Sequence, residues 1–301
     1  MTVFADGPGG GNPCPVVFDF DGATEQMQAA AGEFGVETVF VLPGTGPAES
    51  TDADRFDAEL RYFVPRHEME MCVHATIAAS VLLAESGRCA SNPARIKTAL
   101  GVLDVQWDVL TSQAVVSQFP AAFGAPIIGE QRRSVLRALN IDDSQVDDKV
   151  GPIRSVSTAR SKLMIPLTDE ATLDGLRPNF EQVWRVCDEL EVTGFYPFTV
   201  LDTTSGDGSI AAAARQFPRR SGYHEDPATG VAACGLGAYL SAHSMRRHAG
   251  VWQSWRIAQG RALGRPSVIT AEALSNDHGE IVRTRVGGSA RRLDEGESRS
   301  F

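Results

Sequence analysis

His224, Glu225 and Asp226 stand together immediately ahead of a run of small residues, and their order is what could do chemistry here. The segment Ser221 to Leu240 reads SGYHEDPATGVAACGLGAYL: a polar turn with three titratable side chains, then an apolar helix. Pro227 suits the first helical turn, where a missing N–H removes no bond. Asp226 stands where an N-cap belongs, so the N–H groups of Ala228, Thr229 and Gly230 are expected to face outward. A helix start of this kind carries roughly half a positive charge and attracts anions. Ala232, Ala233, Gly235, Gly237 and Ala238 let such a helix sit close to a sheet. Read alone, the segment is equally an ordinary capped helix.

The chain repeats this pattern. Residues 61–80 read RYFVPRHEMEMCVHATIAAS and residues 215–234 read RQFPRRSGYHEDPATGVAAC. Each copy has an Arg, then an aromatic-Pro-Arg strand end (Phe63, Pro65, Arg66; Phe217, Pro218, Arg219). Each continues through an acidic turn (Glu68, Glu70; Glu225, Asp226) into Ala-Thr and an Ala-rich helix. Two copies about 150 residues apart are too few and too distant for a solenoid and point to a duplicated domain. Two helix starts could then face one shared cleft.

Composition agrees. A length of 301 residues suits about two domains. With 43% hydrophobic and 22% charged residues, the chain reads as a soluble globular protein with a substantial core. A net charge of −10 and a pI near 5.1 argue against nucleic-acid or anionic-membrane partners, which select basic patches. No apolar run approaches the ~20 residues of a membrane span, and the start lacks the basic and apolar regions of a signal peptide. The five scattered cysteines lack CxxC spacing and read as reduced, cytoplasmic thiols. His67, His74, His224 and Glu225 match no ligand spacing, so no metal is expected. GPGGGNP is neither a Walker loop nor GxGxxG, so no cofactor is expected either.

The elements that must position these groups fall into two cycles. In the first, helix-like spacing over 21–35 precedes strands at 37–42 and 59–64, a helix at 75–86 and strands across 96–119. In the second, a helix at 129–140 precedes strands at 152–158 and 162–167. Short helices near 169–176 and 178–190, a strand from Gly194 and the strand IAAAARQF follow. QGRALGRPSVITAEAL and EIVRTRVGG read as closing strands, with the loop 203–209 and a tail over 289–301 expected to be mobile. The fold class is α+β. Its halves are expected at 1–122, joined by a C-terminal strand near 280–288, and at 123–288.

GGGNP (Gly9 to Pro13), ETVFV (Glu37 to Val41), CVHAT (Cys72 to Thr76), EDPATG (Glu225 to Gly230) and QGRALGRPS (Gln259 to Ser267) together resemble the PhzF-like phenazine-biosynthesis proteins. The motifs lie in order along about residues 2–288. The resemblance implies the diaminopimelate-epimerase-like fold: two pseudo-symmetric domains, each a curled mixed sheet around a central helix, with the active site between them. It also implies a homodimer and a cofactor-independent isomerase acting on a small-molecule carboxylic acid in secondary metabolism.

The family's type reaction moves a hydrogen across a cyclic, conjugated amino-hydroxy acid, converting dihydro-hydroxyanthranilate towards a ketone. Carried over by motif, the acid/base carboxyl is Glu37; without the resemblance it reads as a strand-edge, solvent-facing residue. A partly desolvated Glu would titrate high enough to shuttle protons near neutral pH. His74 is implied to hydrogen-bond the substrate, and Asp226 to orient its amine or to cap the helix. The substrate carboxylate is expected against Cys72, Val73, Ala75 and Thr76 at one helix start, and Ala228, Thr229, Gly230 and Val231 at the other. Arg66 and Arg219 flank this picture and read as structural.

Two departures stand out. The family usually has Gly where this chain has Val73, and Gly permits positive φ and close approach. The phenazine enzymes have Ser where this chain has Val231, so a hydroxyl donor is lost and a different ligand is expected. Two further readings stay open. An amino-acid epimerase of this fold would use two cysteines; Cys72 holds the first position and Pro227 the second, with Cys234 further along and buried. A small-acid-binding protein without catalysis is the other.

Overall fold

Helices Val73–Glu85 and Gly230–His243 have almost no polar face, so each must be surrounded rather than laid on a surface. In the first every residue from Val73 to Val81 is buried, and in the second every residue from Gly230 to Ser241. The computed structural model describes residues 1–45, 55–201, 211–243 and 249–293. The loop expected at 203–209, most of the linker before Asp57 and the tail beyond Leu293 lie outside the described residues.

The chain divides into two compact units. The first comprises Met1–Ser117 and Gly287–Phe301. It opens with β1 (Thr2–Val3), β2 (Asn12–Pro13), β3 (Val16–Phe18), α1 (Thr24–Phe34) and β4 (Thr38–Pro43). It continues through β5 (Ala58–Val64), β6 (His67–Met69), α2 (Val73–Glu85), β7 (Ala94–Thr98), β8 (Gly101–Asp108) and β9 (Gln113–Gln118). The second unit, Gln118–Val286, starts with β10 (Ala122–Pro126), α3 (Gly129–Leu139), β11 (Arg154–Ser157) and β12 (Lys162–Pro166). Then come α4 (Glu170–Gly175), α5 (Phe180–Glu189), β13 (Gly194–Val200), β14 (Ala212–Ala214) and β15 (Phe217–Pro218). It closes with α6 (Gly230–His243), β16 (Trp252–Gln259), β17 (Ser267–Ser275) and β18 (Ile281–Arg291). Among the described residues no helix is long and apolar enough to cross a membrane.

The repeat read from sequence is a repeat of topology. In the first unit β3 and β4 are parallel, β4 and β5 antiparallel, β5 and β7 parallel, and β7 and β8 antiparallel. In the second β12 and β13, β13 and β14, β14 and β16, and β16 and β17 follow the same alternation. Each parallel step is a crossover through helix: α1 and α2 in one unit, α4–α5 and α6 in the other. The small residues of α6 are needed for close packing. A Cβ on Gly237 would stand 2.7 Å from the Ala271 Cβ on β17.

The structure departs from the sequence reading in three places. First, α6 begins at Gly230, with the Ala233 N–H donating to Thr229 O, so Asp226 is not its N-cap. The Asp226 N–H instead donates to Gln216 O in an isolated antiparallel bridge. Second, residues 259–274 are not one strand. The chain breaks into a short 3-10 turn, Arg261–Leu263, between Gly260 (φ 84°) and Gly264 (φ 68°). A Cβ on Gly260 would lie 2.2 Å from Arg265 O and 2.6 Å from Pro227 O, so glycine is required there. Third, β16 was not anticipated, although Trp255, Ile257 and Gln259 show strand-period burial. β18 also runs to Arg291, into the segment expected as a tail. There Ala290 and Arg291 pair with Val3 and Thr2, so backbone pairing holds a stretch with little apolar surface to bury.

Candidate active site

At the α2 entry, three titratable side chains converge in the first unit. Glu37 immediately precedes β4; Cys72 holds the N-cap position of α2 with extended backbone (φ −141°, ψ 113°); His74 is the second helical residue. His74 Nε2 lies 3.1 Å from Glu37 Oε2, with the side chains 3% and 13% exposed. The Cys72 thiol donates to the same Oε2 at 3.3 Å and lies 3.3 Å from His74 Nδ1. Behind them Thr76 Oγ1 donates to Cys72 O at 2.7 Å and meets the buried Tyr62 hydroxyl at 2.8 Å. Thr76 has no exposed surface, so its hydroxyl positions the N-cap backbone within the fold.

Burial sets the protonation of the triad. It lowers the His74 pKa, against the smaller opposing pull of the Glu37 charge. It raises the Cys72 thiol well above its ordinary range, and the Glu37 charge adds to that rise. Imidazole and thiol are therefore both neutral, and no thiolate–imidazolium nucleophile is formed. With a neutral ring, Nε2–H donates to Glu37 and Nδ1 is the acceptor facing the thiol, a tautomer assigned from the contacts. One carboxylate oxygen thus collects two neutral donors, which suits a group that must hold and return a proton.

The three donor atoms lie within 4.8 Å of one another, a spacing that raises a metal site. The ring geometry argues against one. The carboxylate faces Nε2 at 3.1 Å, while Sγ is nearer Nδ1 (3.3 Å) than Nε2 (3.8 Å). An ion takes one in-plane lone pair of an imidazole, so it could not meet all three donors without turning the ring. The other groups weighed as ligands are held elsewhere. His224 stacks on Phe180 at 4.3 Å, and Glu225 is paired with Arg215.

At the α6 entry, in the second unit, Asp226 is buried and its Oδ2 accepts a short hydrogen bond from the Thr229 hydroxyl. Gln259, at the end of β16, donates from Nε2 to Asp226 O at 2.7 Å and to Thr229 Oγ1 at 3.2 Å. Its Oε1 accepts from Tyr196 OH at 2.9 Å and from the Thr229 N–H at 3.3 Å. The turn is braced by Arg215, which binds Glu225 through Nε (2.9 Å) and NH2 (2.7 Å). The remaining Arg215 nitrogen donates to Leu173 O and Leu176 O at the end of α4.

The remaining sequence candidates are apolar or small. Val73, Ala75 and Ala228 are fully or almost fully buried, Gly230 is buried and Val231 is 6% exposed. Val73 is an ordinary first helical residue, so the backbone there does not need the positive φ that a Gly would supply. Arg219 is paired with Asp188 at 2.6 Å. Gln259, Tyr196, Tyr62 and the Arg215–Glu225 pair were not singled out from sequence. Arg215 had a signal, since its counterpart Arg61 opens the other repeat copy; Gln259 and Tyr196 come from distant strands and had none.

Comparison with known proteins follows this geometry. Residues 1–296 match the family described as phenazine biosynthesis-like protein. An uncharacterized isomerase of Clostridium acetobutylicum is 34% identical over 286 residues, covering 93% of this chain and 90% of the relative. The uncharacterized isomerase YddE of Escherichia coli K12 is 30% identical over 299 residues, covering 96% and 94%. A PhzF-family phenazine biosynthesis protein of Bacillus anthracis, solved by crystallography, superposes with a TM-score of 0.81. It shares 24% identity, covering 97% of this chain and 95% of its own, and so supports the fold.

Proposed function

The chain belongs to the phenazine biosynthesis-like protein family, and from that premise we propose a hydrogen-shifting isomerase of small cyclic or conjugated amino or keto acids, with Glu37 as its acid/base group. Isomerase is the activity its curated relatives carry in their names. The observation that supports this reading most is the convergence of His74 Nε2–H and Cys72 S–H on Glu37 Oε2. In the proposed reaction Glu37 removes a proton from one carbon. The electron pair left behind delocalises through the conjugated system, and the same carboxyl returns the proton at another carbon. Atoms and charge balance without a further reactant, and the step uses only groups of the chain. Asp226 is proposed to hold the substrate's amino group, and the helix-start N–H groups its carboxylate. A role in secondary metabolism and a homodimeric state belong to the same proposal.

The epimerase reading is weaker on the chemistry of the thiols. A two-thiol mechanism needs two cysteines that ionise readily. Cys72 is pushed well above the ordinary thiol range, and burial pushes the Cys234 thiol up to about 12.

The test incubates parent and Glu37→Gln protein with cyclic, conjugated amino acids in deuterated water. The parent is expected to incorporate solvent deuterium, and Glu37→Gln to lose about 10²–10⁴-fold of that rate. Undiminished exchange by Glu37→Gln, with exchange confined to the α-carbon and abolished by Cys72→Ala, would establish the epimerase instead. Tight ligand binding by a parent that neither exchanges nor isomerises would establish a binding protein.

A further inference from the structure

Gln259 makes four hydrogen bonds with its amide, and their directions are not interchangeable. Oε1 faces the Thr229 N–H, which can only donate, and the Tyr196 hydroxyl. Tyr196 is fully buried, and burial together with the Asp226 charge keeps its phenol protonated. Turning the amide over would set an NH2 against a backbone N–H, leaving buried donors unpaired. The oxygen is therefore held on that side, and Nε2 must face Asp226 O and Thr229 Oγ1. Once Thr229 Oγ1 accepts from Nε2, its own hydrogen is directed to Asp226 Oδ2.

We propose that Gln259 is a positioning residue for Asp226. It clamps the Asp226 backbone carbonyl and forces Thr229 to act as donor, never acceptor, toward the carboxylate. The chain Tyr196 → Gln259 → Thr229 → Asp226 runs one way and ends on an anion. Asp226 is thereby presented as a pre-oriented carboxylate, which suits the substrate ammonium group; this last clause rests on the function proposed above. The neighbouring Glu225 is matched by Arg215, so Asp226 does not share its charge with an unpaired carboxylate.

The test is a carbon-13 titration of the Asp226 carboxyl in the full chain, assigned by its loss in Asp226→Asn. Gln259→Met keeps the side-chain length and removes all four bonds. It is expected to move the titration midpoint upward by about one pH unit, because the anion loses a committed donor. Thr229→Val is expected to do the same and Thr229→Ser to restore the parent midpoint. Tyr196→Phe, which preserves packing volume and fold, is expected to shift the midpoint in the same direction by less. An unmoved midpoint in both Gln259→Met and Tyr196→Phe, with Thr229→Val shifted, would overturn the proposal and leave Gln259 a packing residue. If Gln259→Met does not fold, Tyr196→Phe decides alone. The readout needs no substrate, so its failure is distinct from failure of the isomerase reading.

Discussion

Arg61 and Arg215 do the same work at the two helix entries. Each guanidinium lies over the Phe two residues on, 5.3 Å from the Phe63 centroid and 5.0 Å from the Phe217 centroid. Each also takes both carboxylate oxygens of a Glu in the turn that follows, Glu68 and Glu225. The surroundings differ. Arg61 and Glu68 are 24% and 37% exposed, Arg215 and Glu225 9% each. What each brace leads to differs more. Beyond Glu68 come a thiol and an imidazole that converge on Glu37; beyond Glu225 comes a single carboxylate at the end of a one-way hydrogen-bond chain. Duplication kept the brace, which either copy of the fold needs, and let the groups beyond it diverge. One entry is built to hold a proton, the other a fixed charge.

The largest effect that would break this comparison is on the buried brace. Arg215→Ala strands Glu225 in a low-dielectric setting and is expected to cost about 3–5 kcal/mol of folding stability by urea denaturation. Equal losses from Arg215→Ala and Arg61→Ala would show that burial is not what separates the two braces.

His74 sharpens the difference in proton chemistry. Its folded pKa lies below the unfolded value of about 6.5, so below that pH the unfolded chain binds a proton that the folded chain refuses. Stability contributed by the neutral ring is therefore present above pH 6.5 and lost as pH falls, with a slope approaching ~1.4 kcal/mol per pH unit. His74→Gln should flatten that limb of the stability profile, as read by thermal melts between pH 7 and 5. A limb of unchanged steepness would place the acid sensitivity elsewhere.

The smallest effect is the exposed brace. Arg61→Ala is expected to cost under about 1 kcal/mol, since a solvated ion pair gains little over hydrated ions. Its urea midpoint should lie close to that of the parent.

Much of this architecture was legible before any coordinates. The duplicated Arg-Phe-Pro-Arg, acidic turn and Ala-Thr helix became the repeated β5–β6–α2 and β14–β15–α6 units, because a local pattern that dictates a strand, a turn and a buried helix dictates it twice. The start of α6 was misread, because HEDP carries the marks of an N-cap while Gln216 O captures the Asp226 N–H and delays the helix to Gly230. The break at Gly260 was hidden in a run that reads as a strand, and only the crowding of Arg265 O and Pro227 O explains it.

By itself, then, the sequence determined the α+β duplication, the family, and which residue types stand at the two helix starts. Those follow from local patterns and from order along the chain. Only the tertiary structure decided that Cys72 and His74 share one oxygen of Glu37, that burial leaves both neutral, and that Gln259 governs Asp226. The contacts behind those facts join residues 33 to 63 positions apart, apart from the neighbouring Cys72–His74 pair. Their energetics come from desolvation, which no spacing in the chain records.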